Sequence, residues 1–181
     1  MEKIYNDIQR KLVTEEQLKN KVIELGKKIT EDYNGEEVII IGVLKGCTVF
    51  MSDLIRQIDL PLQIDFMVAS SYGNDTKTSG NVKIIKDINI DVHNKNVIIV
   101  EDIIDTGLTM KNLKGIFEVR QCKSIKICTL LDKKERRKVE VSADYVGFDI
   151  PDEFVVGYGL DYAGKYRNIP EICILKPEVY A

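Results

Sequence analysis

Val97-Ile98-Ile99-Val100-Glu101-Asp102-Ile103-Ile104-Asp105-Thr106-Gly107-Leu108-Thr109 is the stretch on which the reading of this chain turns. Its first four residues are β-branched and apolar on both faces, which is the pattern of a central parallel strand covered on both sides. Two adjacent carboxylates come next, and an Asp-Thr-Gly-Leu-Thr turn then leads into a helical pattern from about Thr109 to Glu118. In open α/β sheets ligands bind where strands end in this way.

The surrounding sequence repeats the strand and helix alternation. Thr14-Glu15-Glu16-Gln17 has the form of a capping box, and Leu18, Val22, Leu25 and Ile29 succeed it at helical spacing until Asn34-Gly35. Val38 to Val43 is a strand ending in Leu44-Lys45-Gly46-Cys47-Thr48, and Phe50, Leu54, Ile55 and Ile58 mark the next helix. Leu62 to Ala69, Val82 to Ile85 and Ile125 to Leu131 read as further strands, with the polar, glycine-containing segment 70–80 as a flexible loop. This order predicts an α/β fold with a doubly wound, mainly parallel sheet flanked by helices. Tyr145 to Ile150, Phe154 to Tyr158 and Ile172 to Leu175 are short apolar runs and are expected to build a small flap. The expectation is one domain over 1–181, with a core at about 36–145 and a hood from the N-terminal segment and about 146–181.

A chain of 181 residues can bury a sizeable core without staples. Its formal net charge of −3 gives no global reason to expect nucleic-acid or bilayer binding, so any phosphate chemistry is local. Cys47, Cys122, Cys128 and Cys173 are far apart and His93 is the one histidine, which excludes the usual zinc spacings and suits a reducing compartment. The first residues carry no apolar core of signal length, and no segment approaches a membrane span. A cytoplasmic location is expected.

A tight turn feeding a helix presents backbone N–H groups to one point, where the helix dipole adds positive potential. Gly107 permits close approach of an anion, and Thr106 and Thr109 add hydroxyl donors. Glu101 and Asp102 suit vicinal sugar hydroxyls, directly or through a divalent cation. A phosphorylated sugar satisfies both halves; a solvated strand end beside an ordinary helix cap would carry the same pattern. There is no Gly-x-x-x-x-Gly-Lys-Ser/Thr and no Gly-x-Gly-x-x-Gly, which disfavours P-loop and dinucleotide-binding readings.

Val100 to Gly107 closely resembles the phosphoribosyl pyrophosphate (PRPP) motif of the type I phosphoribosyltransferases. Leu44-Lys45-Gly46 resembles that family's pyrophosphate loop, Ser71-Tyr72 the start of its flexible catalytic loop, and Phe154 to Tyr162 the tail of its 6-oxopurine branch. The resemblance implies displacement of pyrophosphate from PRPP by N9 of hypoxanthine or guanine, with Mg2+, giving the nucleoside monophosphate. It assigns Glu101 and Asp102 to ribose and magnesium, Asp105 to purine N7 as general base, and Asp105, Thr106, Gly107, Leu108 and Thr109 to the 5-phosphate. Lys45, Gly46 and Arg167 would hold pyrophosphate, Asp161 a second magnesium, and Ser71 and Tyr72 would close over the reaction. Lys133 would donate to the purine O6, Phe154 would stack on the base, and the Val155 backbone would meet its edge. Read without that resemblance, Lys133 belongs to a charge run that is solvated in most proteins and Phe154 to an apolar core. The implied partners are PRPP, pyrophosphate, the purines and their nucleotides, and further copies of the chain in a homodimer or homotetramer.

The sequence departs from the family pattern at Cys47-Thr48 and at Leu108, both peripheral to the implied contacts. Two rivals frame the reading. A non-catalytic PRPP- or nucleotide-sensing regulator of the same fold would need a nucleic-acid module or basic face for which length and charge leave no obvious room. A receiver or phosphohydrolase would need an early nucleophilic Asp, whereas the first core strand ends in Val43-Leu44-Lys45.

Overall fold

The structure, a computed structural model, describes residues 2–71 and 82–180. Two sheets organise the chain. The larger has six strands: β2 (Val38–Leu44), β3 (Leu62–Ser71), β4 (Val82–Lys86), β5 (Asn96–Ile104), β6 (Ser124–Asp132) and β7 (Tyr145–Asp149), in the order β4-β3-β2-β5-β6-β7. All neighbours are parallel except β3 and β4. The smaller sheet joins β1 (Ile8–Val13), β9 (Ile172–Leu175) and β8 (Val155–Val156) in antiparallel fashion. Short helices α1 (Glu2–Tyr5) and α5 (Pro177–Tyr180) flank that sheet's ends in the chain.

The expected alternation of strand and helix is present, with helices on both faces of the main sheet. Helix α2 (Glu15–Tyr33) begins at Thr14, whose hydroxyl accepts from the Gln17 N–H at 3.2 Å while the Gln17 side chain accepts from the Thr14 N–H at 2.9 Å. It ends at Asn34 in the left-handed region, φ 47°. With α3 (Thr48–Ile55) it covers one face, where Leu18, Leu25, Phe50 and Leu54 meet Ile40, Ile98 and Val100. Helix α4 (Leu108–Val119) covers the other, where Met110, Leu113 and Phe117 meet Ile39, Ile41, Val97 and Ile99. Alternate residues of β2 and β5 thus enter opposite cores, which is why both strands read as unbroken apolar runs. Val97 to Val100 are fully buried, and each such side chain contributes about 1.5–3 kcal/mol of burial free energy.

One expectation needs correction. Residues 145–150 do not join the flap: β7 is the sixth strand of the main sheet, paired in parallel with β6 from Cys128↔Tyr145 to Asp132↔Asp149. The polar segment before it is long enough for a crossover, and Tyr145, 1% exposed, packs beneath α2. Strand β5 also outlasts its apolar run, because Ile103 and Ile104 pair with Leu131 and Asp132. The acidic pair therefore sits within the last residues of the strand, at its carboxyl end as expected.

Four parallel strands deliver their carboxyl-terminal loops to one edge of the main sheet. After β2 comes Lys45-Gly46, after β5 the 105–109 turn, after β6 Lys133, and after β7 the 151–154 turn leading to β8.

Candidate active site

The register builds the site before any side chain is considered. Ile104 pairs with Asp132, and the Lys133 N–H donates to the Ile104 carbonyl at 2.9 Å, so Lys133 and Asp105 leave adjacent strands side by side. The Ile150 N–H donates to the Asp132 carbonyl at 3.0 Å and carries the 151–154 turn to the same edge. Lys133 is only 8% exposed, and its Nζ donates to the Glu153 carbonyl at 2.7 Å, immediately before Phe154. Asp152 Oδ1 lies 3.6 Å from the same Nζ, and an ammonium with one hydrogen bond made and this ion pair beside it still has donor capacity for a carbonyl acceptor. This answers the charge-run reading for Lys133 but not for its exposed neighbour Lys134.

Glu101 and Asp102 are half-buried near the end of β5. Glu101 Oε2 is withdrawn from solvent with no hydrogen-bond partner among the described residues. Burial, followed by the charge of Asp102 and a hydrogen bond shared with it, holds the Glu101 carboxyl well above the usual carboxylate range. Burial also raises Asp102, against the opposing pull of the Ile103 N–H, which donates to Asp102 Oδ1 at 2.8 Å, of Glu101, and of Arg167. Two half-buried carboxylates that resist ionising together have the donor chemistry that a divalent cation takes. Among the described residues no third His, Cys, Asp or Glu side chain joins them, so a magnesium ion held here would need further ligands from water or substrate.

The loop after β2 presses on this pair. The Leu44–Lys45 peptide is cis, and a Cβ added at Gly46 would lie 1.4 Å from Asp102 Oδ2, so only glycine lets the loop reach the carboxylate. The Thr48 hydroxyl donates to the Lys45 carbonyl at 2.5 Å, and Cys47 is buried beneath. Cys47 and Thr48 are two of the three positions that depart from the family pattern, and here they fasten the loop to α3. On the far side Gly159 is packed on the Gly46 carbonyl, and Arg167 Nη1 donates to the Gly159 carbonyl at 2.6 Å. Arg167 Nη2 also pairs with Asp161 Oδ1 at 2.6 Å, and Asp161 Oδ2 accepts from the Gly164 N–H at 2.7 Å. Lys45 is exposed.

In the turn, Gly107 adopts φ +83° as the residue before α4 and supplies no side-chain cap. The Leu108 N–H reaches the Thr106 hydroxyl at 3.4 Å, and a helix start without a side-chain cap from the residue before it suits an anion as acceptor. Glu101, Ile103, Asp105, Thr106, Gly107 and Thr109 bound a cavity of about 90 Å3, while Leu108 is the first helical residue. Larger hollows, of about 470 Å3 between α2 and α3 and about 720 Å3 along α4, are bounded by none of Glu101, Asp102 and Asp105. Size alone does not mark the chemistry.

Phe154 is 37% exposed and the Val155 backbone enters β8 beside it, with the Phe154 carbonyl accepting from the Leu175 N–H at 3.2 Å. Ser71 ends β3 near the same edge, and Tyr72 lies outside the described residues.

Sequence reasoning passed over two residues. Arg136 Nε lies 2.8 Å from Asp105 Oδ1, and Arg137 donates through Nη1 to the Asp105 carbonyl at 3.0 Å and through Nη2 to Asp132. A Cβ on Gly107 would meet Arg137 Cδ at 2.9 Å, so this arginine closes the back of the turn. Both stand in the charge run after β6. The signal was their position just past the end of a strand neighbouring β5, which only the register makes readable.

Comparison with known proteins bears on the family and the fold. The model of the phosphoribosyl transferase domain family matches residues 9–163. A hypoxanthine-guanine phosphoribosyltransferase of Bacillus subtilis (strain 168) is 54% identical over 97% of this chain and 97% of its own length. A bifunctional protein TilS/HprT of Listeria monocytogenes is 53% identical over 99% of this chain, which spans 28% of that relative's length. The crystal structure of a Staphylococcus aureus hypoxanthine phosphoribosyltransferase superposes with a TM-score of 0.95 at 51% identity, covering 98% of this chain and 97% of the other.

Proposed function

The chain belongs to the phosphoribosyl transferase domain family and has its type I fold, and on that premise we propose that it transfers the 5-phosphoribosyl group of PRPP to N9 of hypoxanthine or guanine. The bond from ribose C1 to pyrophosphate breaks, the bond from C1 to N9 forms, and a proton leaves the purine. The products are IMP or GMP and pyrophosphate. The observation that carries this reading is the meeting at one sheet edge of an acidic pair, a glycine loop pressed against it, an open helix N-terminus, and a buried lysine beside Asp105.

Each residue has a task in that reaction. The 105–109 turn anchors the 5-phosphate, and its N–H groups fix ribose C1 relative to the base. Glu101 and Asp102 take the ribose hydroxyls and hold magnesium, with Asp161 toward the pyrophosphate side. Magnesium bound there supplies positive charge to the departing pyrophosphate. Lys45 and Gly46 offer backbone donors to the same group, and Arg167 offers a planar charged fork. Asp105 receives the proton from purine N7, with Arg136 keeping its carboxylate oriented. Lys133 donates to O6, which an adenine 6-amino group cannot accept. Phe154 stacks on the base, the Val155 backbone meets its edge, and Ser71 and Tyr72 exclude water when the site closes. The sheet of β1, β9 and β8 serves as the hood of a single domain.

The test is pyrophosphate release from PRPP with hypoxanthine, guanine or adenine, with and without Mg2+. Magnesium-dependent turnover with the two 6-oxopurines and little with adenine is expected. PRPP binding without turnover of any 6-oxopurine would replace this reading with that of a sensor. The four cysteines are free and no helix among the described residues is long and apolar enough to cross a membrane, which supports a cytoplasmic location. A homodimer or homotetramer is the expected assembly, and light scattering measures it.

A further inference from the structure

Phe154 leaves an aromatic ring at the edge of the site, and its backbone is held on both sides, by Lys133 on the Glu153 carbonyl and by the Leu175 N–H on its own. The ring itself is not held by these bonds. What touches it is a pair of tyrosines. Tyr180 of α5 lies against Phe154 with ring centroids 4.9 Å apart and planes 22° from parallel. Tyr162 meets Phe154 edge-on, at 5.5 Å and 89°, and Tyr180 at 6.5 Å and 69°.

We infer that Tyr180 backs Phe154, fixing the ring on which the purine stacks, and is a positioning residue for the base. Tyr180 covers one face of Phe154, Tyr162 stands perpendicular to the ring, and 37% of the residue remains exposed as surface for a planar ligand. Offset stacking continues through such a column, because each ring presents a face to the next. A ring already immobilised gives up less rotational freedom when the base arrives, and that preorganisation appears as affinity.

Tyr180 is itself anchored. The Lys176 N–H donates to the Asp7 carbonyl at 3.0 Å and Lys176 Nζ to the Asn6 carbonyl at 2.7 Å. Val179 packs in the outer hood cluster with Tyr5 and Ile8. Residues 5–8 therefore support α5, α5 supports Tyr180, and Tyr180 supports the purine's stacking partner. A segment remote from the chemistry acquires a route to purine affinity.

The inference rests on the proposed role of Phe154, so the experiment carries an arm for each. Purine and PRPP KM values and melting temperatures are measured for the full chain and for Tyr180→Ala, Tyr180→Phe and Phe154→Ala. Tyr180→Ala is expected to raise the purine KM roughly two- to tenfold, the worth of one aromatic pair, without changing the PRPP KM. Tyr180→Phe should restore the parent value, because the ring and not the hydroxyl does the backing. A lower purine KM in Tyr180→Ala would overturn the inference by placing Tyr180 where the base binds. Equal rises in both KM values with a fall in melting temperature would overturn it in favour of a purely structural tyrosine. If Phe154→Ala raises the purine KM and Tyr180→Ala does not, the inference fails while the site stands; if Phe154→Ala changes nothing, the stacking role fails first.

Discussion

Glu101 and Glu171 are both glutamates drawn out of water, and the molecule treats them in opposite ways. Glu171, 8% exposed at the start of β9, accepts a hydrogen bond from the Tyr5 hydroxyl at 2.6 Å and another from Lys11. Burial pushes its carboxyl up, and the bonds from Lys11 and Tyr5 outweigh burial, so it titrates below the usual carboxylate range. Among the described residues Glu101 has one oxygen without a partner and a second carboxylate as neighbour, and burial with that charge makes it titrate well above that range. A buried carboxylate supplied with partners ties the N-terminal strand to the hood. One left without them costs the fold stability, which is the pattern of a functional rather than a structural carboxylate.

That contrast predicts the largest effect at the acidic pair. The double change Glu101→Gln with Asp102→Asn should lower kcat/KM for PRPP by about a hundred- to a thousandfold, while the protein stays folded. Steady-state assays beside circular dichroism measure this; full activity would remove the pair from the site. Asp105 stands between the extremes, partly exposed and paired with Arg136. Asp105→Asn should lower kcat on the order of a hundredfold with PRPP affinity nearly retained, as for loss of a general base. Equal loss of both would make Asp105 a binding residue.

The smallest effects are in stability, and their signs differ. Glu101 binds a proton more tightly when folded, so stability falls as pH rises from the ordinary glutamate range through its raised value. Glu101→Gln should then be more stable than the parent at pH ~8, by about 1–2 kcal/mol or roughly 3–6 °C, and equal to it near pH ~4. Glu171 binds its proton less tightly when folded, so its contribution is present above the ordinary range and is lost as pH falls through its lowered value. Because Lys11 is largely exposed, Glu171→Gln should cost only about 1 kcal/mol at neutral pH, a difference that closes in acid. Melting curves across pH check both, and shifts of the same sign would dissolve the distinction.

The turn at 105–109 and the strand before it were legible because their physics is local. A β-branched run, a glycine at positive φ and an uncapped helix start all write themselves in consecutive residues. Lys133 and Phe154 were singled out only through resemblance, since nothing in a charge run or an apolar run sets one member apart from its neighbours. Arg136 and Arg137 were not legible at all, because their contact with Asp105 crosses some thirty residues of chain and depends on β6 lying beside β5. Residues 145–149 were misassigned for the same reason: a short apolar strand looks alike in a flap and at a sheet edge, and only its partner distinguishes the two.

Composition, periodicity and capping residues were enough for an α/β chain with a phosphate-sized turn at a strand's carboxyl end, since hydrophobic burial and backbone geometry act over a few residues. Pairing register, the closeness of Gly46 to Asp102, the missing partner of Glu101 and the ring of Tyr180 on Phe154 belong to tertiary structure alone. Each depends on distance through space, and for carboxylates the surrounding solvent and charge decide whether the same residue type binds a structure together or waits for a ligand.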